Sequence, residues 1–435
     1  MTDIKRTQKE GKLALYGYET DRFKCENISI YFSVPSNRED SVARSLLLSV
    51  LKRGTEKYPS QMAINERLDE LYATLVSLKN QKFDNRQLLG ITADVINSAY
   101  TENGEDLLPD VLDTISQMLF HPAFDKETGL FNEEYVLSEK ENYKSIILSQ
   151  INEPRTYAAI RCREEMFSSL GIIEKLDGMC EKIDSVTNEQ LVRCYREIVN
   201  NAPIIVFYVG SRALENVAQQ IESAFPYRSV QIMPGSKKAP LLLEYTDEPN
   251  LVNESKSISQ SRLVVGYNCR VTWRDDDYYA MLLCNEILGA SPISKLMTNV
   301  REKMSLCYEC SSVYNSARGA IFVTTGIDGE NYEKAKKAIN KQLSDIQKGK
   351  ISKTEFLAAK KSILNVYSGV KDSASAIERF YLGRIVNGID MDISGFIQKI
   401  ERLTVEDVIN VSKLLCEHTI YFLSGNGGGE DELYE

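Results

Sequence analysis

Two histidines and one pair of cysteines at CxxC spacing are the residues of this 435-residue chain whose types and spacing could do chemistry at short range. His121 and His418 stand far apart, and neither has a second His, Cys or carboxylate at the local spacing a metal site uses. His121 precedes Pro122, which biases it to a turn or extended segment. His418 abuts the last predicted strand. Both are read as structural. Cys307 and Cys310 fall in a predicted strand, where i and i+3 point to opposite faces, so packing is their expected role rather than redox or metal chemistry. Nine cysteines is an odd, scattered set. With no export signal, free thiols in a reducing compartment are the simplest reading. The glycine run after Gly425 has no Lys-Ser/Thr behind it, so it is not a phosphate loop.

Composition bounds the class. Hydrophobic residues make up 43% and charged residues 26%, an ordinary globular balance over a length that calls for two or more cores. The net charge of −10 argues against nucleic-acid binding. It suits a surface that attracts basic partners, and equally a chain that simply stays soluble. Met1 to Tyr16 is polar and mixed in charge, unlike a secretory leader. No stretch approaches the ~20 apolar residues of a membrane helix. A cytoplasmic protein with no membrane or nucleic-acid partner is expected.

The elements that must position any site repeat along the chain. Ser185-Val186-Thr187-Asn188-Glu189-Gln190-Leu191 leads into a helix and the strand Ile204 to Gly210. Arg402-Leu403-Thr404-Val405-Glu406-Asp407-Val408 leads into a helix and the strand Thr419 to Gly425. In each, a Thr can cap the helix with Gln190 or Asp407 three residues on. The starts match as well. Strands at Ile28 to Val34 and Arg262 to Tyr267 are each followed by an apolar helix, closing on Gly54 or Gly289 as C-cap. Ser36 or Asn37 is the expected N-cap of the first of these. Hairpins are predicted from Leu71 to Leu78 with Leu88 to Ala93, and from Cys307 to Tyr314 with Gly319 to Thr325. Alternating polarity implies one covered sheet face. A helix from Ser352 to Tyr367 opens on a Ser352/Glu355 capping box. The pattern is α+β in two similar halves, each an antiparallel sheet flanked by helices. Residues 1–225 form the first domain, 226–258 a linker, 259–425 the second domain and 426–435 a disordered acidic tail.

The duplicated plan resembles the insulinase/pitrilysin family of zinc peptidases, in the branch that includes mitochondrial processing peptidase, over nearly the whole chain. Gly54-Thr55 and Tyr58-Pro59-Ser60 in the first half match the stretch that follows the family's HxxEH. Leu288-Gly289, Val300-Arg301-Glu302-Lys303 and Leu306-Cys307-Tyr308 in the second half match its LGG…VREKxGLAY. The resemblance implies halves of a clamshell that closes around a peptide, with zinc on one side and a substrate-holding Arg and Tyr on the other.

It also implies what is missing. HxxEH on a helix sets two imidazoles on one face, with a glutamate beside the metal-bound water. At the matching positions stand Ser45, Leu48 and Ser49. A hydroxyl is a poor zinc ligand and Leu48 accepts no proton. The family's remaining ligand falls near Ser145 or Ile146 by alignment on Asn152-Glu153-Pro154, with Glu139 and Glu141 close by. A nucleophilic role for Ser45 or Ser49 lacks a nearby His and a strand-turn-helix elbow. Arg301 and Tyr308 match the substrate-holding pair: a guanidinium fork and a phenol suit a peptide carbonyl or an oxyanion. Ordinary roles also stand open to them, a helix cap or salt bridge for Arg301 and strand packing for Tyr308. The implied protein is a non-catalytic subunit with no metal of its own. It would form a heterodimer with a zinc-bearing homologue and help to bind peptide for proteolysis. A homodimer, and a stand-alone binding or scaffold protein, remain as alternatives. Some bacterial relatives of this type are linked to modification of elongation factor P.

Overall fold

The computed structural model describes residues 3–7, 13–83, 86–225 and 240–425. Two sheets organise them. The first holds six strands: β1 Lys5–Thr7, β2 Ala14–Glu19, β3 Cys25–Pro35, β4 Leu75–Phe83, β5 Arg86–Ile96 and β6 Ile204–Gly210, in the order β1-β2-β6-β3-β5-β4. The second holds five: β7 Asn250–Lys256, β8 Ser261–Asn268, β9 Glu309–Asn315, β10 Ala320–Ile327 and β11 Cys416–Gly425, in the order β7-β11-β8-β10-β9. Without β1 the two orders are the same. In each, the pairing is antiparallel except at one place, β2 with β6 and β7 with β11. The duplication seen in the sequence is a duplication of topology.

The predicted central strands form, and both predicted hairpins pair, as β4 with β5 and β9 with β10. Both Thr capping boxes close, Thr187 with Gln190 and Thr404 with Asp407. Ser352 and Glu355 exchange their two bonds at 2.7 and 3.1 Å. Three strands went unseen: the three-residue edge strand β1, and β2 and β7. β2 overlaps the polar N-terminal stretch, and β7 lies inside the predicted linker. Both are short edge-side strands with little apolar signal, and each is held by a parallel partner far away in sequence. The rest of that linker falls partly on residues 226–239, and the acidic tail falls on 426–435; these lie outside the described residues.

The sheets are also covered more fully than alternation implies. Tyr31 and Phe32 point to opposite faces of β3. On one face the Tyr31 hydroxyl donates to Glu378 on the helix Ala374–Asn387, at 2.8 Å, while Leu382 and Val386 pack beside it. On the other, Phe32 meets Phe120 of the helix Leu108–Phe120, edge to face at 5.8 Å. The second sheet repeats this. Gly266 of β8 lies under Met166 of the helix Pro154–Met166, where an added Cβ would sit 2.8 Å from the methionine sulfur. Its neighbour Tyr267 reaches Asn340 of the helix Tyr332–Gln347 at 2.6 Å. Central strands are therefore buried along nearly their whole length.

One covering helix of each sheet comes from the other half of the sequence. The described residues form two compact units, one drawn from 1–145, 179–238 and 369–393, the other from 146–178, 239–368 and 394–435. Residues 369–393 carry Glu378 to the first sheet, and 146–178 carry Met166 to the second. The exchange is long-range and has no local signature in the sequence.

Local details differ from expectation at four points. The helix Ser41–Leu51 starts at Asp40, without a side-chain cap, and ends at Lys52. Gly54 is not its C-cap: a Cβ there would sit 2.7 Å from the Pro59 carbonyl oxygen, so the glycine permits a close backbone approach. Gly289 plays the same part, within a π-helical turn Glu286–Ala290, against Leu296 and the Ser312 backbone. Leu71-Tyr72 is a turn and not strand, with φ of +57° at Tyr72 and +55° at Ala73.

Candidate functional site

The helix Ser41–Leu51 packs its apolar residues inward, Leu46, Leu47, Leu48, Val50 and Leu51 all being buried. Ser45 and Ser49 are half-buried. The Ser45 hydroxyl donates to the Ser41 carbonyl at 2.9 Å, one turn back, and accepts from the Asn80 amide on β4 at 2.9 Å. Asn80 in turn accepts from Gln87 at 2.9 Å, and Gln87 from the buried Arg44 at 3.4 Å. Arg44 also donates to the Pro35 carbonyl at 2.7 Å. Lys82 reaches Ser41 at 2.7 Å.

These residues do not fit zinc. The one hydroxyl proton of Ser45 is committed to a carbonyl, and the Leu48 side chain lies in the core. The Arg44 guanidinium and the Lys82 ammonium both bond into the network around this helix, and neither is a metal ligand. The carboxylates considered as a further ligand are engaged elsewhere. Glu139 accepts from Arg53 at 2.5 Å, and Ser138 beside it accepts from the same guanidinium at 2.9 Å. Glu141 pairs with Lys144 at 2.6 Å. Ser145 offers a hydroxyl only, and Ile146 is exposed. Among the described residues, no group of three or more His, Cys, Asp and Glu is placed to hold a metal. The Arg53–Glu139 pair was not foreseen, since nothing local marks partners 86 residues apart.

Arg301 and Tyr308 lie in the second unit, at the corner between a helix and β9. The segment Leu296–Lys303 is π-helical, so Met304 N–H reaches back five residues to the Asn299 carbonyl at 3.1 Å. π-turns of this kind cluster at functional sites. Ser305 follows in the left-handed region at φ +50°, and the Tyr308 N–H ties the corner to the Gly326 carbonyl at 3.4 Å. Both side chains are exposed. Arg301 contacts the Met297 sulfur at 3.3 Å and has no ion pair among the described residues. The Tyr308 ring is 73% accessible, which leaves strand packing out of account for it. Its hydroxyl has no partner among the described residues. The pair is thus presented to solvent, with donors available.

The remaining candidates are placed as follows. His121 caps the end of the helix Leu108–Phe120, half-exposed, with Glu56 at 4.0 Å. His418 lies in β11 beside the Thr419 hydroxyl at 2.9 Å, and burial lowers its pKa. Cys307 is not in the strand. It precedes the bend at Tyr308, whereas Cys310 is the second residue of β9, and both cysteines are buried. The opposite-faces argument fails because it assumed strand geometry at a residue outside the strand. No described helix is long and apolar enough to cross a membrane.

Comparison with known proteins bears on the fold and the kind of protein. The family model described as Peptidase M16 inactive domain matches residues 185–363. The chain is thus similar to M16 peptidases, through a domain described as inactive and through a full-length relative called probably inactive. In particular, it is 28% identical over 425 residues to the "Probable inactive metalloprotease YmfF" of Bacillus subtilis strain 168, covering 97% of each chain. It is 22% identical over 329 residues to the "Uncharacterized zinc protease YmxG" of the same organism, covering 73% of this chain and 75% of that one. Among solved structures, a conserved protein from Enterococcus faecalis V583 superposes with a TM-score of 0.89 at 26% identity, covering 98% of this chain and 99% of that one. A protease from Helicobacter pylori shares the fold, with a TM-score of 0.79 at 13% identity and coverage of 97% and 99%.

Proposed function

We propose that this chain is the non-catalytic member of a two-chain peptidase, in which Arg301 and Tyr308 hold the peptide backbone while a zinc-bearing homologue hydrolyses it. The observation that carries this reading is a contrast within one chain. The helix where zinc would bind is filled by an internal hydrogen-bond network through Ser45, while Arg301 and Tyr308 stand exposed, with no ion pair to Arg301 and no partner for the Tyr308 hydroxyl among the described residues. A guanidinium and a phenol held in this way donate to a carbonyl oxygen, and more strongly to the oxyanion that forms from it. Similarity both to a relative called inactive and to one called a zinc protease, within one organism, supplies candidates for the two parts.

Reconstitution tests it. The chain is mixed with a zinc-bearing homologue from its own cell, and peptide hydrolysis is measured against either chain alone. Hydrolysis is expected in the mixture. Arg301→Ala and Tyr308→Phe are each expected to lower it by ~100-fold, the size of effect seen when one oxyanion donor is removed, without altering the fold. Activity unchanged by both substitutions would remove the pair from the reading. A mixture no more active than the zinc-bearing chain alone would remove the subunit role.

A further inference from the structure

Positive charge is concentrated on one face of the second unit. The helix Tyr332–Gln347 and the turn after it, from Lys334 to Lys353, carry seven lysines against one acid, Asp345, in a chain whose net charge is −10. Ala335, Ile339 and Leu343 of this helix are buried, which leaves Lys334, Lys337, Lys341 and Lys348 in a row along the exposed side. Like charges three and four residues apart repel. The single acid is engaged with Lys350, at 2.9 Å. None of the four lysines in the row has an ion pair among the described residues.

We infer that this lysine face holds the acidic segment Glu430-Asp431-Glu432-Leu433-Tyr434-Glu435 of the same chain. That segment carries four carboxylates and no base, and Asn426-Gly427-Gly428-Gly429 separates it from the end of β11. The charges are complementary, and the strand delivers the segment to the helix. Asn340 donates to Glu417 near the start of β11, at 2.7 Å, and the Tyr332 ring meets Phe422 near its end, at 4.7 Å. The strand and the helix therefore run in opposite directions, and Gly425 lies beyond the first turn of the helix.

The lengths match. β11 continues ~10 Å past Phe422 to Gly425, and a helix is ~10 Å across. Returning that distance and rounding to the exposed side takes ~20 Å of chain, about six residues at ~3.4 Å each. Glu430 stands five residues beyond Gly425, and Glu435 ten. Lys334 to Lys341 spans ~10 Å of helix at ~1.5 Å per residue, so the carboxylates reach it. The intervening glycines permit a reversal and add no charge beside Glu330 and Glu333, which flank the helix start. Each exposed lysine–carboxylate pair is weak alone, and the short tether raises its effective concentration. This docking does not depend on the peptide-holding role proposed above.

The test acetylates lysines with a limiting amount of an N-hydroxysuccinimide ester at low salt and reads the sites by mass spectrometry, in the full chain and in a chain truncated after Gly425. Lys334, Lys337 and Lys341 are expected to react about threefold more slowly in the full chain, and the exposed Lys126 of the first unit equally in both. The difference should vanish at about 1 M salt, where charges are screened within ~3 Å. Carbodiimide coupling of a mixture of isotope-labelled and unlabelled full chain then locates the contact. Cross-links from these lysines to residues 430–435 within one isotopic species are expected. Equal lysine reactivity in the two chains would overturn the inference, leaving a solvated face. Cross-links that join the two isotopic species would also overturn it, by making the segment of a second copy the occupant. The truncation removes no strand of either sheet, and the cross-link is read on the unsubstituted chain.

Discussion

The turn after the second helix of each repeat carries a tyrosine, and the two are used in opposite ways. Tyr72 sits at φ +57°, donates to Glu105 at 2.9 Å and accepts the Glu102 N–H at 3.0 Å. Its phenol is spent on ordering the first unit. Tyr308 makes no such bond among the described residues and is 73% accessible. The helices that precede the turns differ in the same sense. In the first unit the hydroxyl at the zinc position is absorbed by Ser41 and Asn80. In the second, a π-helical stretch projects Arg301 into solvent. A duplicated scaffold thus has one corner closed by its own hydrogen bonds and one whose Tyr308 and Arg301 stand exposed.

Restoring the lost base should break the closed corner most severely. Leu48→Glu places a carboxylate at a buried position of the first unit. The expected loss is about 3–5 kcal/mol, combining the missing leucine with a buried charge. Denaturant unfolding checks it. A stable, folded Leu48→Glu chain would mean that this helix face is more open than its packing implies.

The two glycines offer a milder test of equivalence. Gly54→Ala meets the Pro59 carbonyl at 2.7 Å, and Gly289→Ala meets Leu296 and the Ser312 main chain at 2.6 to 2.8 Å. Each is expected to cost about 1–3 kcal/mol, as for overpacking. Gly289→Ala should also disturb the Arg301 corner, through the π-turn. Equal unfolding midpoints for both variants and the parent chain would deny the close approaches.

The smallest effect separates the units by pH. Glu378 in the first unit and Glu254 in the second each accept from tyrosine hydroxyls. Burial dominates at Glu378 and raises its pKa above the ordinary 4.5. Its contribution is fully present below that ordinary value and is lost as pH rises through the folded one. At Glu254, burial is outweighed by Tyr157, Tyr421 and Arg161, and the pKa is lowered. Its contribution is present above the ordinary value and is lost as pH falls through the folded one. Relative to the parent chain, Glu378→Gln should therefore gain stability as pH rises, and Glu254→Gln as pH falls. Thermal unfolding from pH 3 to 8 checks the two slopes; slopes of the same sign would contradict the assignment.

Much of this was legible locally. Central strands are runs of β-branched and aromatic residues, and capping boxes are three-residue signals, so Ile204 to Gly210, Thr187 with Gln190 and Ser352 with Glu355 could be read directly. The reading of Ser45, Leu48 and Ser49 as degenerate zinc positions rests on the flanking Gly54-Thr55 and Tyr58-Pro59-Ser60. What stayed hidden depends on distant partners. The helix around Glu378 covers a sheet built mostly from the first 210 residues, and β7 owes its strand form to β11. Cys307 was misread for a related reason. The π-helical register and the left-handed Ser305 delay the start of β9, and no spacing rule carries that information.

The most direct test of the central claim is metal content measured together with peptide hydrolysis on the purified chain. The account expects zinc far below one per chain after dialysis, and no hydrolysis that a chelator abolishes. Near-stoichiometric zinc with chelator-sensitive hydrolysis by this chain alone would contradict it.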